Sequence, residues 1–211
     1  EWVNGSAISL AVTELALVSI AGQQHVMEFL RPKAINAHRT YGGAMPMNKP
    51  AINTRRKFSD QCRGGWLAYG HAPLENGEMV PVTYKPDIPR INEKGKPVKY
   101  ERPAGSKPTP YFAPLDADAY YLIAQRAGIK APTFESSWAA WLWLLKQYEV
   151  ELVIDEGEKK AAAACANGFL TIGLAGIWNG CPKLKDHTGY SFGPATLIAE
   201  LQWLAQIRPV K

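Results

Sequence analysis

The chain has 211 residues, a formal net charge of +5 and 46% apolar residues including seven tryptophans. That is enough to build a core, so a disordered acidic or low-complexity class is excluded. No run of about 18 apolar residues occurs and "EWVNGSAISL" lacks a basic start, so no membrane span or export signal is indicated and the expected home is the cytoplasm.

Cys62, Cys165 and Cys181 form no even set, and with His25, His38, His71 and His187 they make no CxxC or HxxxH spacing, which argues against disulfides and structural zinc. Residues 31–111 hold 15 Lys and Arg against 6 Asp and Glu, whereas residues 1–30 hold three acids and no base. One cationic section between neutral or acidic flanks is the electrostatic footprint of a partner with a phosphate backbone; a basic solvated loop is the plainer alternative.

In chain order, Ser6–Leu30 reads as one or two short helices, with Ser6 as N-cap and Gly22 as a break. Residues 32–70 read as short strands and turns in which Arg55, Arg56, Lys57 and Arg63 interleave with Phe58, Trp66 and Tyr69. Cations hold phosphates and rings stack on bases, so this pattern suits a single strand of nucleic acid; a hairpin with a half-buried aromatic face fits equally. Residues 81–114 contain eight of the sixteen prolines and the cations Lys85, Arg90, Lys94, Lys96, Lys99, Arg102 and Lys107. Proline removes a donor and fixes φ, so an extended, loop-rich connection is expected, ordered against the core because Tyr84, Tyr100, Tyr111 and Phe112 persist in it.

"DADAYYLIAQRAGI" predicts a helix from about Asp116 to Gly128, and "FESSWAAWLWLLKQYE" a second, with Trp138, Trp141, Leu142, Leu145 and Tyr148 on one core face. Val150–Ile154 reads as a buried strand, "EKKAAAACAN" as a helix stopped by Asn167-Gly168, "FLTIGL" as a second strand, and "GPATLIAELQWLAQ" as a helix through Leu197, Ile198, Leu201 and Leu204. Strand, helix, strand, helix implies right-handed crossovers and a parallel sheet, with "RPVK" at the start of a third strand.

Ligands of such sheets sit beyond the carboxyl ends of the strands, where Asp155, Glu156, Gly157 and Glu158 are expected. Carboxylates there can hold Mg²⁺, a hard cation that keeps waters and substrate phosphates in its shell. A helix N-terminus alone also favours acids. Lys159 and Lys160 can neutralise phosphate or coat the helix. No GxGxxG, GxxxxGK[ST] or GxSxG is present, and His187 has no evident nucleophile partner.

A hydrophobic strand leading into "EGEKKA", a helix and the strand "TIGLAGIWN" resembles the Toprim domain of topoisomerases and bacterial-type primases. With "YKPDIPR" and "KYERP" upstream, the chain is most similar to an uncharacterised Toprim-related domain at the front of plasmid- and phage-type primase-helicase replication proteins, many of them cyanobacterial. The resemblance implies an α/β fold with a Toprim-like parallel sheet in the C-terminal part, preceded by a basic, proline-rich α+β region. It divides the chain into residues 1–114, with a nucleic-acid-binding surface, and residues 115–211, truncated before a D-x-D strand.

The resemblance also implies a catalytic role for Glu156, as acid/base or metal ligand. Lys159 joins it as the second catalytic candidate, and Asp155, Glu156 and Glu158 are the candidate Mg²⁺ ligands. Lys160 stands where many primases carry an aspartate, and the D-x-D pair of the next strand is not found after Glu156. "DAD" at Asp116–Asp118 precedes the glutamate and reads as a helix start. Candidate nucleic-acid contacts are Arg55, Arg56, Lys57, Arg63, Lys85, Arg90, Lys99, Tyr100 and Arg102. The expected partners are single-stranded or template DNA, or RNA, and a helicase or polymerase domain of a longer parent, with no membrane.

Three functions are compatible with these residues. They are a Toprim-like part of a DNA replication or priming protein with Mg²⁺-dependent, nucleotidyltransferase-type phosphoryl transfer; a non-catalytic single-stranded nucleic-acid-binding module; and a small-molecule phosphate-binding enzyme using Lys159 and the Gly173–Gly180 loop.

Overall fold

The computed structural model describes residues 1–30, 64–103, 106–185 and 190–208. Two compact units interleave along the chain, one of Glu1–Ala16, Tyr69–Val80 and Pro108–Lys211, the other of Leu17–Ala68 and Pro81–Lys107. Among the described residues six strands, β1 (Leu17–Ala21), β2 (Gly64–Ala72), β3 (Glu78–Pro86), β4 (Tyr111–Phe112), β5 (Leu152–Glu156) and β6 (Leu170–Leu174), form a mixed sheet in the order β1-β2-β4-β6-β5, with β3 also paired to β2.

The first unit opens with α1 (Trp2–Ser6) and α2 (Leu10–Ala16). Ser6 ends the first helix instead of capping one, and Ser9 takes the capping role, its hydroxyl accepting from Val12 N–H at 3.1 Å. The chain reverses between them at Ala7, in the left-handed region at φ 51.

In the same unit α4 (Ala117–Arg126) is capped by Asp116, whose carboxylate accepts from Ala119 N–H at 2.8 Å and from the Ser9 hydroxyl at 2.8 Å. The "DAD" carboxylate is therefore a helix cap, as its sequence context implies. Ser136 caps α5 (Ser137–Leu145) in the same manner at 3.1 Å. Trp138, Trp141 and Leu145 are buried and Leu142 is half-buried, but Tyr148 lies beyond the helix end and is exposed. The apolar stripe stops there because the chain leaves the helix at Lys146, so the i+3/i+4 relation no longer carries Tyr148 to the core.

Next come β5 (Leu152–Glu156), α6 (Glu158–Ala166) and β6 (Leu170–Leu174), a parallel pair in register from Leu152↔Leu170 to Glu156↔Leu174. Asn167 and Gly168, the latter at φ 84, stop α6 where the sequence places its end. Every residue of β6 is buried because strands flank it on both edges and α6 covers it.

The expected all-parallel sheet is corrected on its other side, where β4 (Tyr111–Phe112) pairs antiparallel to β6 and to β2 (Gly64–Ala72). Alternating strands and helices set the direction only of the pair that α6 connects. A two-residue strand arriving from a distant part of the chain has no periodicity to reveal it.

A 3₁₀ turn, Ile177–Gly180, and a short hairpin, β7 (Leu184–Lys185) with β8 (Ser191–Phe192), lead to α7 (Ala199–Ile207). The last helix starts later than its sequence pattern, leaving Leu197 exposed and Ile198 as N-cap, while Leu201 and Leu204 are buried. The expected strand start at 209–211 lies outside the described residues.

Phe112 is the hub of the core, edge-on to Trp141 at 5.1 Å, to Trp138 at 6.0 Å and to Trp203 at 6.3 Å. Trp141 satisfies its indole N–H on the Ala113 carbonyl at 2.7 Å, so the ring is buried without an orphan donor.

The second unit holds β1 (Leu17–Ala21), α3 (Gln23–Leu30), the first part of β2 and most of β3 (Glu78–Pro86). A strand thus replaces part of the helix expected across Ser6–Leu30: Leu17–Ala21 pairs antiparallel with Gly64–Ala68, a partner far away in sequence. Gly22, at φ 87, separates this strand from α3 and is the expected break. Isolated bridges Tyr84↔Glu101, from within β3, and Ile91↔Pro97 tie down the proline-rich stretch.

Candidate functional site

β5 runs two residues further than expected, so Asp155 and Glu156 are its last two residues and do not lie beyond it. Consecutive strand residues point to opposite faces, which separates these two carboxylates. Asp155 shares a sheet row with Gly173 and, through Gly173, with Tyr111, placing it on their face, whereas Glu156 is exposed on the other. Asp155 Oδ1 also accepts from the Glu156 N–H at 2.6 Å.

Gly157 then turns the chain into α6. Its φ of 95 and ψ of 149 lie in a region open to glycine, and its N–H donates to the Leu174 carbonyl at 2.7 Å. The turn packs tightly on β6, since a Cβ on Gly173 would stand 2.8 Å from the Gly157 carbonyl oxygen and 3.1 Å from Ala161 Cβ.

Glu158 occupies the first turn of α6, where the helix dipole favours an acid. Tyr111, fully buried, has a hydroxyl with no hydrogen-bond partner among the described residues; burial first, then the Glu158 charge, holds its pKa well above that of an ordinary phenol. Lys159 pairs with Glu1, Nζ to Oε1 at 3.3 Å, and Lys160 is exposed. Among the described residues no group of three or more His, Cys, Asp or Glu side chains could hold a metal ion, so Asp155, Glu156 and Glu158 share one turn without converging on one point.

Of the candidate nucleic-acid residues, Lys85, Arg90, Lys99, Tyr100 and Arg102 fall in the second unit. Arg55, Arg56, Lys57 and Arg63 lie outside the described residues. Lys85 Nζ sits over the Trp66 ring at 5.6 Å from its centroid, and Tyr100 meets the same ring edge-on at 6.2 Å. Lys99 is exposed and Arg102 half-buried.

Arg90 has another employment. Its Nε contacts Glu101 Oε1 at 2.5 Å and its Nη2 donates to Oε2 at 3.3 Å, with Glu101 buried. Charge counting along the sequence missed this pair; the signal was the acid inside "KYERP", whose register against Tyr84 only folding sets.

The model of a domain of unknown function, DUF3854, matches residues 140–209, which run from within α5 to just past α7. An uncharacterized protein of Picosynechococcus sp. is 30% identical over 208 residues, covering 98% of this chain and 20% of that relative. The chain thus spans about a fifth of the length of the curated relative it matches. No solved structure matches it.

Proposed function

We propose that this chain is the nucleic-acid-binding, Toprim-like part of a DNA replication or priming protein, and that it engages single-stranded or template DNA through its cationic middle section. The observation that carries the reading is the cluster of Lys85 and Tyr100 on Trp66 beside exposed Lys99, where a cation and rings occur together as a strand of phosphates and bases requires. The Toprim-like part is supported by the turn that Glu156, Gly157 and Glu158 make at the carboxyl end of a parallel β-α-β unit, the place where α/β sheets bind ligands.

Among the described residues, Asp155, Glu156 and Glu158 do not by themselves form a Mg²⁺ centre. That spacing favours a second reading, a binding module without chemistry of its own, in which Glu158 serves the helix dipole and Glu156 is an exposed strand end.

The test is binding of a labelled single-stranded DNA across a salt series, with and without Mg²⁺. Backbone contacts give a log-log slope of about −0.7 per phosphate neutralised, so a steep loss with salt is expected, reduced in Lys85→Ala and Lys99→Ala. A Mg²⁺ effect that Glu156→Gln abolishes selects the metal-dependent reading, whereas identical behaviour of Glu156→Gln selects the module. No binding at low salt overturns both, and tight binding of RNA alone would move the reading to RNA.

A further inference from the structure

Trp178 is 85% exposed, while Trp2, Trp138 and Trp141 are buried and Trp66, Trp143 and Trp203 are half-buried. Leaving an indole in water forgoes about 2–3 kcal/mol of burial, a cost this chain avoids at its other tryptophans.

The exposure does not come from a loose loop. Asn179 N–H donates to the Gly176 carbonyl at 2.9 Å, and Ile198 N–H to the Gly180 carbonyl at 3.1 Å. Gly180 is wedged into the core, where a Cβ would stand 2.9 Å from Leu201 Cδ1 and 3.0 Å from Leu174 Cδ1. Gly176 supplies the φ of 147 that starts the turn. The backbone on both sides of Trp178 is therefore pinned, and the ring stands in solvent.

Its position is equally defined. The turn follows directly on β6, whose last residue, Leu174, accepts the Gly157 N–H, so Trp178 stands four residues beyond the backbone that meets the Glu156–Glu158 turn. From Ala175 to Lys185 the chain carries two cations, Lys183 and Lys185, with Asp186 following them. Beyond them, Tyr190 and Phe192 of the adjoining hairpin region are exposed rings as well.

An exposed ring on a pinned turn, with Lys183 and Lys185 close behind it in the chain, is complementary to a base carried on a phosphate chain. We infer that Trp178 is a base-stacking platform for single-stranded nucleic acid at the carboxyl end of β5 and β6. This deepens the proposed function and rests on its nucleic-acid reading.

The test uses the whole 211-residue chain and a labelled oligothymidylate, comparing the unmodified protein with Trp178→Ala and Trp178→Phe over a salt series. Stacking predicts that Trp178→Ala weakens binding by roughly fivefold to a hundredfold at every salt concentration while leaving the salt slope unchanged, and that Trp178→Phe recovers most of the loss. An abasic oligonucleotide, with the same phosphates and no rings, should bind the unmodified and Trp178→Ala proteins alike. Thymidine monophosphate competing at Trp178 as well as the strand does would place a free nucleotide there and overturn the strand as occupant. Equal oligothymidylate affinity of Trp178→Ala and the unmodified chain, with the steep salt slope intact, overturns the platform and leaves the nucleic-acid reading standing. Absence of any binding by the unmodified chain overturns both.

Discussion

The Glu156–Glu158 turn and the cationic section use charge in opposite ways. At the turn, the backbone decides: Gly157 sets the direction, Gly173 sets how close the helix comes, and the carboxylates follow the strand and helix that carry them. In the second unit, side-chain pairing decides: Arg90 is consumed by buried Glu101 and Lys85 lies over Trp66. A sequence charge count treats the cations of this section as equal, yet Arg90 is held by a buried carboxylate and Lys85 is half-buried over a ring, while Lys99 is exposed.

The contrast can be tested by substitutions, the largest effect lying in the core of the first unit. Trp141→Ala removes a fully buried ring and its bond to Ala113, and is expected to cost about 3–5 kcal/mol in denaturant unfolding. Arg90→Ala strands a buried Glu101 carboxylate and should cost about 3 kcal/mol, a loss of stability larger than any loss of DNA contact. If Arg90→Ala instead left thermal unfolding unchanged and only weakened DNA binding, the division between structural and offered cations would fail.

Gly173→Ala pushes a methyl against the Gly157 carbonyl and should cost about 1–3 kcal/mol, with the loss centred on protection of α6 amides in hydrogen exchange.

A smaller effect comes from titration. Burial pushes the Cys165 thiol up to about 12, whereas the unfolded thiol ionises near its ordinary value, about 8.5. The contribution is complete below the unfolded value and is lost as pH rises from there towards the folded one, so stability should decline in that window and less so in Cys165→Ala. Tyr111, shifted in the same direction, adds to the decline at still higher pH. Smallest of all, Lys99→Ala should change stability by no more than about 0.5 kcal/mol while reducing the salt slope of DNA binding.

Local signals carried the parts of the fold that depend on neighbours in sequence. Asp116 caps its helix, Gly168 ends α6, and the β5-α6-β6 unit is parallel, each following from a short motif with a mechanical reason. The misses share one cause. Leu17–Ala21 is a strand because Gly64–Ala68 pairs with it, and Tyr111–Phe112 is a strand because β6 and β2 offer edges to it. Both depend on partners more than forty residues away, which no window of periodicity includes. The candidate site divides in the same manner: Gly157 and the acids around it were legible as a turn, while the separation of Asp155 from Glu156 turned on where β5 ends.

By itself the sequence determined the cationic middle section, the start of α4 at Asp116 and the stop of α6 at Asn167-Gly168, and a glycine-centred acidic turn between a strand and a helix. These follow from residue chemistry and from steric limits that act over a few residues. Tertiary structure alone decided that the sheet is mixed, that Arg90 belongs to Glu101, and that Trp178 faces solvent while Trp138 and Trp141 do not. The physical reason is that burial and pairing depend on which surfaces meet, and those surfaces are brought together only when distant segments fold against each other.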